Sequence, residues 1–149
     1  MLSFLKKKTT NGLKYETKLI KKFHKDHEKL IKLLTKIATA VEKSEDKKVR
    51  ALLSQFKVEI LSHFMEEDIK LYRYLKKYYE ENEEKKATIM LFQDGIKTIQ
   101  SDIINFLDSY IKEDKEFDKV FQDRFKDIIN AFGERIKTEE SKLYPLYIR

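Results

Sequence analysis

Almost nothing in this chain can stop a helix. Pro145 is the only proline, and there are three glycines in 149 residues, so the two residue types that most weaken a helix interior are nearly absent. Apolar side chains recur at three- and four-residue intervals over long stretches, the spacing of one helical face. One stripe runs through Tyr15, Leu19, Ile20, Phe23, His27, Leu30, Ile31, Leu34, Ala38 and Val41 and predicts a helix over about 13–43. Ser44-Glu45-Asp46 offers a break with N-cap chemistry. A second stripe, Val49, Leu52, Leu53, Phe56, Ile60, His63, Glu67, Leu71 and Leu75, predicts a helix over about 46–79. After the charged, turn-like "EENEEKK", Ala87, Leu91, Gly95, Ile99, Ile103, Phe106 and Tyr110 mark a third over about 84–112. Val120, Phe121, Phe125, Ile128, Phe132, Arg135, Glu139 and Leu143 mark a fourth over about 116–142.

Long helices joined by short connections pack antiparallel. The expected fold is therefore all-α, an up-down-up-down antiparallel four-helix bundle over 13–149, with residues 1–12 as an irregular N-terminal arm. A chain of this length forms one domain. It has no cysteine, which excludes disulfides, thiolate metal sites and thiol nucleophiles. No apolar run approaches the roughly 20 residues needed to span a bilayer. The opening "MLSFLKKK" places its apolar residues before its lysines, the reverse of a secretory signal. A cytoplasmic location is expected.

The net charge of +6 is unevenly placed, with 15 Lys and Arg against 6 Asp and Glu in residues 1–50. Lys14, Lys18, Lys21, Lys25, Lys29, Lys32 and Lys36 recur at helical spacing and form one stripe. Such a stripe is either a solvated outer face or a docking surface for an acidic protein partner, nucleic acid or anionic lipid. It lacks the arginines and aromatics of base-reading proteins, so specific nucleic-acid binding is not expected.

Five residues on the apolar stripes do not belong in oil: His27, His63, Glu67, Arg135 and Glu139. Burying any of them without a partner costs several kcal/mol. His63 and Glu67, one turn apart on one face, can reach a single metal ion. Imidazole nitrogen with carboxylate oxygen, and no sulfur, suits iron, manganese or zinc. His24, beside the stripe, is an auxiliary candidate.

The segments "KDHEKLIKLL" (25–34), "HFMEEDIKLY" (63–72) and "IKTEESKLYP" (136–145) together resemble the hemerythrin-like, HHE cation-binding domains, over about residues 20–146. The resemblance implies a four-helix bundle whose inward His and Glu side chains hold a non-haem di-iron centre. Such a centre binds oxygen or nitric oxide, or senses iron or redox state. His27, His63, Glu67 and Glu139 match ligand positions. Two ligand histidines are missing: "FQDGIK" puts Asp94, a second auxiliary candidate, and Gly95 where one is expected, and Arg135 replaces the other.

The segments 62–77 and 134–149 align without gaps, setting His63 on Arg135, Glu67 on Glu139, and Lys70-Leu71-Tyr72 on Lys142-Leu143-Tyr144. The chain thus reads as two related halves, the second without its histidines. A guanidinium has no lone pair to donate to a metal. Arg135 is instead expected to put a positive charge where a second metal would sit, pairing with Glu139 and with Glu67 across the bundle.

Three functions follow. The first is metal binding or sensing at an incomplete site with one iron ion or none. The second is a metal-free interaction module: "FKDIINAFGERIKTEESKL" (125–143) and "HF" (63–64) are similar to the small helical regulators that bind the primary sigma factor of RNA polymerase. The third is an oxygen-using mononuclear iron catalyst, ranked last because no nucleophile–base pair or phosphate loop is visible; the chain is not expected to be an enzyme.

Overall fold

The computed structural model describes residues 13–112 and 114–147, and among these the chain is all helical. The expected arm at 1–12 lies outside them. Helix α1 spans Leu19–Glu42, α2 Asp46–Glu66, α3 Arg73–Tyr78, α4 Glu83–Ile111 and α5 Lys119–Thr138. Neighbours along the chain pack on one another: α1 on α2, α2 on α4, and α4 on α5.

The expected second helix is real in extent but not uniform. Between α2 and α3 the chain runs as a π-helical stretch, Glu67–Tyr72, and α5 continues into another, Glu139–Leu143, before a short 3₁₀ turn at Tyr144–Leu146. In each the chain closes i→i+5 bonds, from the amide of Arg73 to Asp68 O and from that of Tyr144 to Glu139 O. The two π stretches start at glutamates that align in the half-repeat.

Capping sets the remaining boundaries. Asn82 accepts a hydrogen bond from the amide of Lys85 at 3.1 Å, and Asp118 from that of Phe121 at 3.0 Å, so α4 and α5 start where an Asx side chain meets a free N–H. Ser44 does not act as the expected N-cap. It ends α1 in the left-handed region, at φ 55°, while the amide of Glu45 bonds back to Ala40 O. The first helix also starts later than expected, at Leu19. Residues ahead of it anchor the chain terminus instead: the ring of Tyr15 stacks on Tyr147, whose hydroxyl accepts from the amide of Glu16.

The core runs the length of the bundle. Away from the polar cluster it is aromatic, with Phe106 stacked on Phe121 and Phe125, and Tyr110 edge-on to Phe121. Each buried phenylalanine contributes about 1.5–3 kcal/mol, and such ring pairs about 0.5–1.5 more. Five positions of the expected stripes are wrong. Ile31, Ala87, Leu91, Gly95 and Val120 are exposed; on α1 the core is filled instead by Leu33 and Ile37, and on α4 by Ile89 and Ile96. Only the first half of the third stripe lies about 100–200° off the true face. Ala87, Leu91 and Gly95 share a helical spacing with Ile99 and Ile103, but Ile89 and Ile96 are covered in their place, whereas Ile103, Phe106 and Tyr110 are buried as expected.

Candidate metal centre

His27, His63, Glu67, Arg135 and Glu139 are all buried, and they are the only buried charged or titratable His, Arg and Glu side chains among the described residues. One donor atom from each of His27, His63, Glu67 and Glu139 lies within 4.8 Å of every other. α1 brings His27, α2 brings His63, and the glutamates stand where α2 and α5 pass into their π stretches. Nε2 of His27 is 3.2 Å from Glu139 Oε1, and Nε2 of His63 is 3.4 Å from Glu67 Oε1.

The outer nitrogens of both histidines are also held. Nδ1 of His27 lies 2.8 Å from Glu140 Oε2, and Nδ1 of His63 lies 3.0 Å from Asp26 Oδ2. A carboxylate on the far nitrogen fixes ring orientation and raises the basicity of the inner one, as behind metal-ligating histidines. Asp26 and Glu140 went unassigned in the sequence, although each is the immediate neighbour of a ligand candidate in the "DH" and "EE" pairs.

Tyr144 was missed as well. Its hydroxyl donates to Glu67 Oε2 at 2.7 Å and sits 3.2 Å from His27 Nε2 and 3.4 Å from Glu139 Oε1. The π stretch puts it there. Five residues of α-helix sweep about 500°, leaving residue i+5 about 140° off the face of residue i, whereas an i→i+5 turn brings it back over that face. A helical-wheel reading therefore discards Tyr144, although its alignment with Tyr72 in the half-repeat was available as a signal.

Arg135 is a buried cation with three acceptors. Nε donates to Glu139 Oε2 at 3.2 Å, and Nη2 to the Tyr72 hydroxyl at 2.7 Å and to Phe92 O at 2.8 Å. The pairing with Glu139 is as expected. The pairing with Glu67 is not found: Glu67 is held by Tyr144, and the guanidinium turns toward α4, where it lies over the Phe92 ring. Gly95 leaves the space, since a Cβ there would meet Arg135 Nη1 at 3.4 Å. The two auxiliary candidates stay outside. Asp94 is exposed, and the half-exposed His24 pairs with Glu140 at 3.0 Å.

The electrostatics follow from burial and pairing. Burial opposes protonation of His63, but Asp26 and Glu67 outweigh it and raise its pKa to about 10. Burial likewise opposes protonation of His27, and Glu139 and Glu140 overcome it to move its pKa up. Desolvation works against ionised Glu67, yet the His63 contact and the Tyr144 hydroxyl hold its pKa down. For Glu139, desolvation and the Glu67 charge prevail over His27 and Arg135, and its pKa is raised. Burial and both glutamates push the Tyr144 phenol up.

The donor set passes a direct test for a cation. Nε2 of His63 and Oε1 of Glu67 are buried and have no hydrogen-bond partner. These two atoms, 3.4 Å apart and one turn apart on a helix, meet only as a charge pair and are spaced to hold one ion between them. A groove of about 330 Å³, with Leu61, Phe64, Met65 and Ile96 on its apolar wall and Asp68, Gln93, Lys97 and Gln100 on its polar one, reaches Glu67 and Tyr72 from the surface.

A helical bundle with a buried His₂Glu₂ cluster, each histidine backed by a carboxylate, defines a metal-binding class of four-helix protein. Residues 16–147 match the hemerythrin HHE cation binding domain, and the chain belongs to that family. Comparison with curated proteins and with solved structures gives no significant match.

Proposed function

We propose that this chain is a metal-binding or sensing member of the hemerythrin family whose centre holds a single ion, iron, rather than a pair. The reading takes the helices to run alternately up and down and the protein to be cytoplasmic. His27, His63, Glu67 and Glu139 hold the ion, and Arg135 supplies the positive charge that a second ion would bring. The observation that carries it is the pair of orphaned buried atoms, His63 Nε2 and Glu67 Oε1, facing one another. Bound iron supplies a Lewis-acid and redox-active centre.

The protein's own groups do the rest. Asp26 and Glu140 hold the histidine rings and receive the protons of their outer nitrogens. Arg135 neutralises part of the carboxylate charge and shuts the far side of the site. The groove beside Glu67 gives a small molecule a path to the centre. A guanidinium in the place of a second metal fits sensing or binding better than oxygen carriage by an iron pair.

The metal-free interaction module has one observation in its favour. Glu67 Oε2 and Glu139 Oε2 already accept hydrogen bonds from Tyr144 and Arg135, so the bundle tolerates an unloaded centre. In that case the exposed lysine stripe of α1, Lys21, Lys25, Lys29, Lys32 and Lys36, with the exposed Lys14 and Lys18 ahead of the helix, is the docking face for an acidic protein.

Elemental analysis of protein purified with iron present decides between them. The single-ion reading expects up to one iron per chain, lost in His63→Ala. Two irons per chain, with an oxo-bridge absorption after oxidation, would overturn it. No metal under any loading condition selects the interaction module.

A further inference from the structure

The geometry points to Tyr144 as a fifth ligand of the centre, its phenolate oxygen joining His27, His63, Glu67 and Glu139 around a ferric ion. This rests on the single-ion reading above and adds a donor of a different chemical class.

Donor atoms at about 2.0–2.2 Å from one ion sit about 3 Å apart at adjacent corners of its coordination shell. The Tyr144 oxygen lies 2.7 Å from Glu67 Oε2, 3.2 Å from His27 Nε2 and 3.4 Å from Glu139 Oε1. Those separations match the ones between the ligands themselves, 3.2 Å for His27 to Glu139 and 3.4 Å for His63 to Glu67. Asp26 and Glu140, by contrast, stand on the far nitrogens of the rings and face away from the donor cluster. Tyr144 is therefore spaced as a member of the shell, not as a support behind it.

Its placement is built in. The side chain is 1% exposed, and the ring stacks on His27 at an interplanar angle of 14° and a centroid distance of 5.7 Å. The π stretch from Glu139 to Leu143 turns it onto the face of Glu139. Its half-repeat counterpart serves the other side: the Tyr72 hydroxyl accepts from Arg135 Nη2 and is thereby taken up by the cation. One tyrosine faces the ion and the other faces the guanidinium.

Charge selects the oxidation state. The anionic phenolate favours the ferric ion, whose third charge it matches, over the ferrous ion, which leaves the phenol protonated. Phenolate is an established iron ligand in proteins. On ferric binding the O–H bond of Tyr144 breaks, an O–Fe bond forms, the proton leaves to solvent, and Glu67 Oε2 loses its hydrogen-bond donor.

The test uses the full chain loaded with ferric citrate, with iron content, visible absorption and resonance Raman spectra recorded together. The expected result is one iron per chain, a phenolate-to-iron charge-transfer band, and phenolate ring vibrations enhanced in that band. Tyr144→Phe should keep its helical circular dichroism, lose the band, and bind ferric ion at least tenfold more weakly while ferrous affinity changes less. Tyr147→Phe, whose hydroxyl faces the Glu16 amide, should keep the band. Bound iron without phenolate vibrations in the unaltered chain overturns the Tyr144 assignment and leaves the single-ion reading standing. A band that survives Tyr144→Phe overturns it too. Failure to bind iron overturns both. Because the Raman spectrum is read on the unaltered chain, the assignment stays open to refutation even if Tyr144→Phe misfolds.

Discussion

Nε of Arg135 donates to Glu139 Oε2 at 3.2 Å, one turn apart where α5 ends, and neither side chain is more than 8% exposed. The pair leaves Glu139 partly compensated: desolvation and the Glu67 charge still raise its pKa, against His27 and Arg135. Arg135→Ala removes one of the two compensating groups and raises that pKa further. A carboxyl with a folded-state pKa above its unfolded value of about 4.3 favours folding below that value. The benefit is lost as pH rises through the folded-state pKa. The variant should therefore lose stability relative to the unaltered chain between about pH 5 and pH 8, by about 3–5 kcal/mol at the upper end. Urea melts at the two pH values check this; equal losses at both would show that Arg135 carries no charge compensation.

Gly95 leaves the space that the guanidinium uses, and a Cβ there makes contact at 3.4 Å without overlap. Gly95→Ala should stabilise the metal-free protein by about 0.5–1 kcal/mol, the ordinary gain from removing a mid-helix glycine. Gly133→Ala, with nothing within 4 Å of its new methyl group, is the reference for that gain. A urea midpoint that falls in Gly95→Ala but rises in Gly133→Ala would show that Arg135 has no room to give.

His63 titrates far above an ordinary imidazole, at about 10, because Asp26 and Glu67 outweigh its burial. With the folded value raised, its contribution to stability is complete below about pH 6.5 and disappears as pH climbs from there toward 10. A ferrous ion needs the neutral Nε2, so iron affinity should rise with pH over the same interval. NMR titration of the metal-free protein reads the first expectation and iron binding at several pH values the second. A His63 midpoint near 6.5 would contradict the pairing with Asp26.

Asp26 and Glu140 hold the outer nitrogens of the two histidines. Asp26→Asn and Glu140→Gln keep the size and remove the charge, and each should weaken iron binding by about 10–100-fold with little change in fold. Competition with a chelator measures it. Unchanged affinity in both would show that the rings are oriented by core packing alone.

Much of this architecture is written locally. Helices follow from the absence of breakers and from stripes such as Phe23–His27–Leu30–Leu34, and the burial of His27, His63, Glu67, Arg135 and Glu139 follows from their places on those stripes. The half-repeat, too, is visible as a gapless alignment that pairs Glu67 with Glu139.

What sequence spacing could not decide is anything that departs from 100° per residue or depends on a partner from another helix. Leu91 and Ile89 are both strongly apolar, and only packing against the neighbouring helices determines which of them is covered. Tyr144 becomes part of the centre because a π stretch turns it through an angle that no α-helical wheel contains. Arg135 was expected to bridge two glutamates, and it reaches one; Tyr72 and the Phe92 carbonyl, brought from α4 and the first half of the chain, take the rest of its donors. Periodicity is a property of one helix and can be read from the chain. The partner of a buried charge is a property of the space between helices, and tertiary packing alone assigns it.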